Sequence, residues 1–134
     1  MHGTPDWVRM VQIVVTVENI PVVPEPAIER AAGDVDRYSG AATTYQTLAT
    51  WTVAAAKVGE LKEVSMISDN FAKTLWRLVI GATTVFTDVT IQSPLTLPFF
   101  DLKLAAASVV TLSCKSSDTT AIVADGSIVG KEIG

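Results

Sequence analysis

The sequence has one histidine, His2, and one cysteine, Cys114, so most catalytic arrangements lack their residues. Ser-His-Asp and Cys-His catalysis both require a rigidly held imidazole, and we expect no rigid support for His2 so close to a terminus. Zinc sites built from histidine and cysteine lack ligands for the same reason. The glycines are scattered singly and form no phosphate-binding loop. We therefore predict a protein that is not an enzyme and has no cofactor.

Pairs of carboxylates are the remaining candidates for catalysis. Asp34 with Asp36, or Glu60 with Glu63, has a spacing that could place two acidic groups together. In a β protein such pairs are usually solvated surface charges. The sequence therefore favours a structural interpretation of these carboxylates.

Basic residues are also few and show no clustering. The 10 Lys and Arg residues stand against 14 Asp and Glu residues, for a net charge of -4. Binding to nucleic acid or to an anionic membrane surface would require a basic patch, so neither partner is expected. The apolar runs are shorter than the ~18–20 residues of a membrane span. The first ten residues lack the pattern of a signal peptide.

A lone cysteine excludes an internal disulfide, which suits synthesis in a reducing cytosol. Cys114 has the same parity as Val110 and Leu112 in "SVVTLSCKSS". We predict a buried thiol that behaves as a small apolar side chain.

From residue 35 onward the sequence alternates between apolar and polar residues in short segments separated by turn sequences. This pattern is typical of a β-sandwich or barrel. The predicted strands are 35–39, 44–54, 60–68, 73–81, 84–91, 108–116 and 119–132. The predicted core residues are Trp51, Val64, Met66, Trp76, Leu78, Ile80, Phe86, Val110, Leu112, Ile122 and Val123. The predicted fold is all-β, a single antiparallel β-sandwich with an extended N-terminal arm.

Residues 58–88 predict a meander of three antiparallel strands, with turns at "SDN" and Gly81. The charged residues of this stretch are then expected to occupy the solvated positions of the meander. Outside the strands, only "ERAA" and "LKLAAAS" have the composition of a helical turn or two.

The first 34 residues have a different character. Residues 6–17, "DWVRMVQIVVTV", are rich in β-branched residues, and residues 18–34 contain three prolines. Because proline removes a ladder donor, 18–34 is predicted to be an extended, non-sheet connection. The division is then an arm at 1–34 and a sandwich at 35–134, although 6–17 could equally be an edge strand of the same domain. For an arm, deleting 1–34 should leave a folded domain, and Trp7, Val8 and Ile13 are the predicted partner contacts.

The segments "VGELKEVSMISDNFAKTLWRLVI", "FTD" and "SPLTLPFFDLKLAAASVVTLSCKSSDTTAIVADGSIVGKEI" resemble compact jelly-roll modules of tailed-phage virion proteins. The resemblance covers about residues 45–133. It implies a jelly roll of two four-stranded sheets and a structural role in the head, and it transfers no catalytic residues. The N-terminal third has no counterpart in it.

Three functions are compatible with these observations. The first is a capsid decoration or cement protein of a phage virion, made in the host cytoplasm, that binds capsid or other virion proteins as a homo-oligomer, with a trimer preferred. The second is a receptor- or carbohydrate-binding jelly-roll module of a tail or fibre protein. The third is a calcium-stabilised accessory domain using Asp69, Asp118 and Asp125. Most of the nine aromatic residues fit core positions, and the acidic loops are far apart in sequence, so the first function is favoured.

Overall fold

The computed structural model describes residues 28–134, which form eight β-strands and one short 3-10 helix. The strands are β1 Glu29–Gly40, β2 Gln46–Thr52, β3 Val58–Ser68, β4 Thr74–Ile80, β5 Thr83–Val89, β6 Leu95–Leu104, β7 Val109–Ser116 and β8 Ile122–Ile133. The 3-10 helix is Phe71–Lys73, between β3 and β4. The all-β prediction is confirmed.

The strands form two four-stranded antiparallel sheets packed face to face. Sheet I has the order β1-β8-β3-β6, and sheet II has the order β2-β7-β4-β5. Pairing joins β1 to β8, β2 to β7, β3 to β6 and β4 to β5. The chain is thus arranged as one long hairpin with the β4–β5 turn at its tip, and successive pairs alternate between the sheets. The predicted antiparallel sandwich is confirmed.

The core lies between the sheets, where alternate residues of each strand point inward. Eight of the predicted core residues are buried: Trp51, Val64, Met66, Trp76, Leu78, Val110, Leu112 and Ile122. Two more, Ile80 and Phe86, are half-buried against the core.

The prediction that Val123 lies in the core is wrong. This half-buried residue lies between the buried residues Ile122 and Ala124 of β8, so its side chain faces away from the core. The inward positions of β8 after Ile122 are Ala124, Gly126 and Ile128. A Cβ at Gly126 would lie 2.6 Å from Leu48 Cδ2, so the side chains of the opposite sheet fill this space. A glycine at an inward position interrupts the apolar alternation, so the sequence does not show which face of β8 is buried.

Strand β1 begins earlier than predicted. It pairs with β8 from Glu29 opposite Ile133 to Gly40 opposite Ile122. The expected non-sheet connection is therefore wrong for residues 29–34, and β1 runs across the predicted boundary at residue 34. As an edge strand, β1 needs a partner on one side only, which accommodates a weak strand sequence. Residues 1–27 of the predicted arm lie outside the described residues.

The sequence does not predict β6, because this strand contains Pro98 and its last three residues begin "LKLAAAS", a segment with the composition of a helical turn. β6 lies at the free edge of sheet I, where a proline is tolerated because only one side of the strand needs ladder hydrogen bonds. The helical assignment was wrong: Leu102, Lys103 and Leu104 belong to β6.

The predicted three-stranded meander is also wrong, because β3 and β4 lie in different sheets. The chain crosses between the sheets through Asp69, Asn70 and the 3-10 helix. Asp69 anchors this crossing on β8: its backbone N–H donates to Val123 O at 3.0 Å, and its Oδ1 accepts from Val123 N at 2.9 Å. The β4–β5 hairpin at Gly81 is present as predicted.

Candidate functional site

An apolar cleft opens between the edge strands β5 of sheet II and β6 of sheet I. It has a volume of about 350 Å³. Its floor reaches the buried side chain of Met66 in the core. Its walls are Val85, Phe86, Val89, Ile91, Leu95, Leu97, Pro98 and Phe99. The cleft is lined by apolar side chains throughout, so it suits an apolar occupant.

The opposite side of the sandwich is closed by polar contacts. The backbone N–H of Thr50 in β2 donates to Asp34 Oδ2 in β1 at 2.9 Å. Trp51 Nε1 donates to Glu132 Oε1 in β8 at 3.0 Å, which ties sheet II to sheet I near the same edge. The sheets are therefore fastened along β1 and β2, and the cleft lies at the opposite edge.

Irregular pairing shapes the rim of the cleft. Leu61 of β3 pairs with Leu102, and Glu63 pairs with Pro98, so residues 99–101 of β6 lie opposite one residue of β3. Phe100 is 95% exposed there, whereas the neighbouring Phe99 turns into the cleft. Bulges of this kind re-aim side chains at sheet edges. An exposed phenylalanine beside an apolar cleft is a typical feature of an interaction surface.

A polar cluster around Tyr45 holds the end of β5 on the outer face of sheet II. The Tyr45 hydroxyl donates to Asp88 Oδ1 at 2.6 Å and accepts from the Asp88 backbone N–H at 2.7 Å. Arg77 and Lys115 lie over the Tyr45 ring, 4.3 and 4.4 Å from its centroid. Lys115 Nζ also lies 3.3 Å from Asp88 Oδ1. These contacts hold Asp88 in a left-handed backbone conformation, with φ at 53°.

The same contacts lower the pKa of Asp88. The hydrogen bond from Tyr45, followed by that from Lys115, lowers the pKa of the Asp88 carboxyl below its ordinary value. A general acid or base works best with a pKa near the operating pH. Asp88 is therefore suited to be a permanent acceptor that fixes β5 and poorly suited to transfer protons at neutral pH.

Replacing Tyr45 with Phe should raise the pKa of Asp88 toward its ordinary value, because the largest cause of the lowering is removed. A lowered carboxyl pKa stabilises the fold above the pKa of the unfolded chain, and this contribution is lost as pH falls through the folded-state pKa. The variant should therefore show a smaller loss of stability on acidification. The measurement is an NMR titration of the Asp88 carboxyl carbon.

Tyr38→Phe is the matched control for this titration, since the Tyr38 hydroxyl accepts from the Ala42 backbone N–H instead. It should leave the Asp88 midpoint unchanged. An unchanged midpoint in Tyr45→Phe would show that Tyr45 does not set the pKa of Asp88.

Three carboxylates of the pairs considered for catalysis, Asp34, Asp36 and Glu60, form structural contacts. Glu60 has a side chain only 6% exposed and forms ion pairs with Lys103 and with Lys131, the latter at 3.3 Å. A buried charge that is paired in this way avoids the cost of unpaired desolvation. Asp34 receives the Thr50 N–H described above, and Asp36 Oδ1 accepts from the next backbone N–H at 2.8 Å.

The three aspartates of the calcium hypothesis are engaged separately. Asp69 caps the crossing to β8, Asp118 pairs with Lys73 at 2.6 Å, and Asp125 pairs with Arg37 at 2.6 Å. The hydrogen bond from Lys73, with that from Thr120, lowers the pKa of Asp118 to about 2. Within residues 28–134, no group of three or more potential metal ligands comes together.

Cys114 is buried in β7, as predicted. Burial raises the pKa of its thiol to about 11. A protonated thiol in the core is neither a nucleophile nor a metal ligand at neutral pH.

The predicted contact residues Trp7, Val8 and Ile13 lie outside the described residues, so those assignments stay predictions. Sequence reasoning missed the cleft because it missed β6, which supplies Leu95, Leu97 and Phe99. The available signal was the alternation of "LTLPF", which the proline concealed. In the described range 28–134, no helix is long and apolar enough to cross a membrane.

The chain matches no protein-family model, and a search of curated proteins finds no similar protein.

Proposed function

We propose that this protein is a non-catalytic structural component of a tailed-phage virion, a decoration or cement protein that attaches to the capsid as a homo-oligomer. The observation that carries the proposal is the 95% exposed Phe100 on the edge strand β6, next to Phe99, which lines the apolar β5–β6 cleft. Surfaces of this kind are typical of proteins that function in contact with other proteins. Glu60, Asp118 and Asp125 form ion pairs, and Asp69 holds the crossing between the sheets.

The strand order supports a jelly-roll assignment within this proposal. Eight strands in two sheets, with the nested pairs β1–β8, β2–β7, β3–β6 and β4–β5, are expected of a jelly roll built as a rolled hairpin. Jelly rolls are common in viral capsids and also occur in lectins and cupins. The fold therefore agrees with the resemblance of residues 45–133 to phage virion proteins, and the function depends on the interaction surface.

The charge distribution favours an apolar contact with the capsid. The net charge of -4 would oppose attachment to another acidic protein. Apolar burial contributes about 25 cal/mol per Å² before ordering costs. An interface of ordinary size, ~800 Å² per partner, can therefore hold without charge pairing. A closed oligomer, with a trimer preferred, multiplies such contacts through effective concentration.

Co-sedimentation with capsids assembled without the protein tests this proposal. Attachment should persist from low salt to about 1 M salt, where the screening length falls to ~3 Å. Phe100→Ala should weaken attachment tenfold or more, since truncating a buried aromatic contact commonly costs 2 kcal/mol or more. Trp7→Ala should also weaken it.

Val35→Ala is the matched control, because Val35 is 77% exposed but lies on β1, at the opposite edge of sheet I. It should bind capsids like the unaltered chain. Loss of attachment at high salt, together with normal binding of Phe100→Ala and Trp7→Ala, would refute an apolar contact through these residues.

A further inference from the structure

We propose that the β5–β6 cleft receives residues 6–17 of a second copy of this chain, so that neighbouring copies are joined by exchanged N-terminal segments. The inference rests on the proposed function only in its assumption that the protein forms a homo-oligomer. It also names the site and the occupant through which the oligomer forms.

The chemistry of the cleft restricts what can occupy it. All nine lining residues are apolar, including Val85 and Val89 from β5 and Leu95, Leu97 and Phe99 from β6. A charged or strongly polar group placed there would lose its hydration without gaining a partner. The occupant must therefore present apolar side chains along its length.

Residues 6–17 have this character. Eight of the twelve residues are apolar, and residues 10–17, "MVQIVVTV", contain no charge. In an extended strand, alternate residues face the same side, which would place Val11, Ile13, Val15 and Val17 together. That row of branched side chains matches the apolar lining of the cleft in chemistry.

The position of the cleft favours a second copy over the same chain. The described chain enters sheet I at Glu29, beside Ile133 at one end of the β1 edge. The cleft lies at the opposite edge of the sheet. Its residue Met66 on β3 pairs with Gly126 on β8, which in turn pairs with Asp36 on β1. The entry point and the cleft are therefore separated by three strand spacings and by four to seven residues along β1, since the lining residues Pro98 and Leu95 align with Gly33 and Asp36.

The connection between the two segments adds to this argument. Residues 18–28 include three prolines, and proline-rich linkers extend by ~3.1 Å per residue, or roughly 34 Å for this stretch. A proline-rich connection of that length would start from the β1 edge of sheet I, opposite the cleft. An extended connection leading away from that edge would place residues 6–17 beside a neighbouring molecule, whereas the cleft of the same chain lies on the far side of its own sheet. Head-to-tail exchange of this kind closes into a ring when the rotation permits, as a trimer requires.

Photocrosslinking of the full-length protein tests the exchange in the absence of capsids. Benzoylphenylalanine is placed at Val85, on the wall of the cleft and 46% exposed. Equal amounts of ¹⁴N- and ¹⁵N-labelled protein are unfolded together, refolded, irradiated and digested. We expect Val85 to crosslink to peptides of residues 6–17, with about half of the products joining a light to a heavy chain.

The same probe at Val35, on the opposite edge, is the matched control and should give no crosslink to residues 6–17. Ile13→Asp in the Val85 probe protein should abolish the crosslink and shift the protein toward monomer in analytical ultracentrifugation. Crosslinks confined to single chains would overturn the exchange in favour of an arm folded on its own domain. Absence of crosslinks to 6–17 would overturn the assignment of the occupant.

These results are independent of attachment to capsids. Mixed-label crosslinks in a protein that fails to co-sediment with capsids would retain the exchange and refute the virion function. Co-sedimentation without such crosslinks would retain the virion function and refute the exchange.

Discussion

Deletion of residues 1–34 is expected to destabilise the sandwich strongly, whereas deletion of residues 1–27 is expected to leave it folded. The longer deletion removes half of β1, including the pairs from Glu29 opposite Ile133 to Asp34 opposite Ile128. It also removes the Asp34 carboxylate that accepts the Thr50 N–H across the closed edge. Each lost hydrogen bond costs about 0.5–1.5 kcal/mol, so the loss of several bonds at once is expected to cost on the order of 3 kcal/mol or more.

Urea unfolding followed by tryptophan fluorescence measures this difference. The two truncated proteins are matched, because both lack Trp7 and retain Trp51 and Trp76. Equal midpoints would show that residues 29–34 contribute little to the fold and would restore the longer arm expected from the sequence.

Gly33→Ala in the full-length chain probes the same strand without truncation. Gly33 has φ at +144°, and a Cβ there would lie 1.9 Å from the Ile128 carbonyl oxygen. At Gly81, with φ at +60°, a Cβ would meet nothing within 4 Å, so Gly81→Ala carries only the backbone cost of about 1–2 kcal/mol. Gly33→Ala should therefore be the more destabilising of the two.

The two core tryptophans should respond differently to replacement by phenylalanine. Truncation of either to alanine is expected to cost about 3–5 kcal/mol, since both are buried. Their indole N–H groups differ: Trp51 donates to Glu132 Oε1, whereas Trp76 Nε1 has no hydrogen-bond partner in residues 28–134. Trp51→Phe loses a bond to a charged acceptor, and Trp76→Phe removes an unsatisfied donor.

We therefore expect Trp51→Phe to cost about 2 kcal/mol more than Trp76→Phe. The comparison uses equilibrium unfolding of both variants at neutral pH, and each serves as the control for the other because the same atoms are removed. A larger cost for Trp76→Phe would mean that cavity formation outweighs the hydrogen bond.

The sequence predicted the elements in which apolar alternation is uninterrupted. β4 is the clearest example, since Trp76 and Leu78 face the core while Arg77 lies on the outer face. Alternation reports which side of a strand is buried, so it was sufficient for the all-β class and for most of the core.

The full extent of the two edge strands of sheet I and the assignment of strands to sheets could not be predicted in this way. β1 and β6 pair on one side only and tolerate Gly33 and Pro98, which sequence patterns associate with loops. The assignment of β3 and β4 to different sheets depends on how Asp69 anchors to β8, a contact between residues 54 positions apart. The cleft combines both problems, because it exists only where two edge strands of different sheets meet.

The nested order of the strands also governs how the chain can fold. The β4–β5 pair joins residues a few positions apart, whereas the β1–β8 pair brings Glu29 next to Ile133. Pairings of long sequence separation form late, because the entropy of closing the loop is lost before the contacts are gained. During synthesis, β1 leaves the ribosome long before β8 exists to pair with it. The nascent chain must therefore keep β1 unpaired until β8 has been made, so sheet I is completed only after the strands between them have been synthesised.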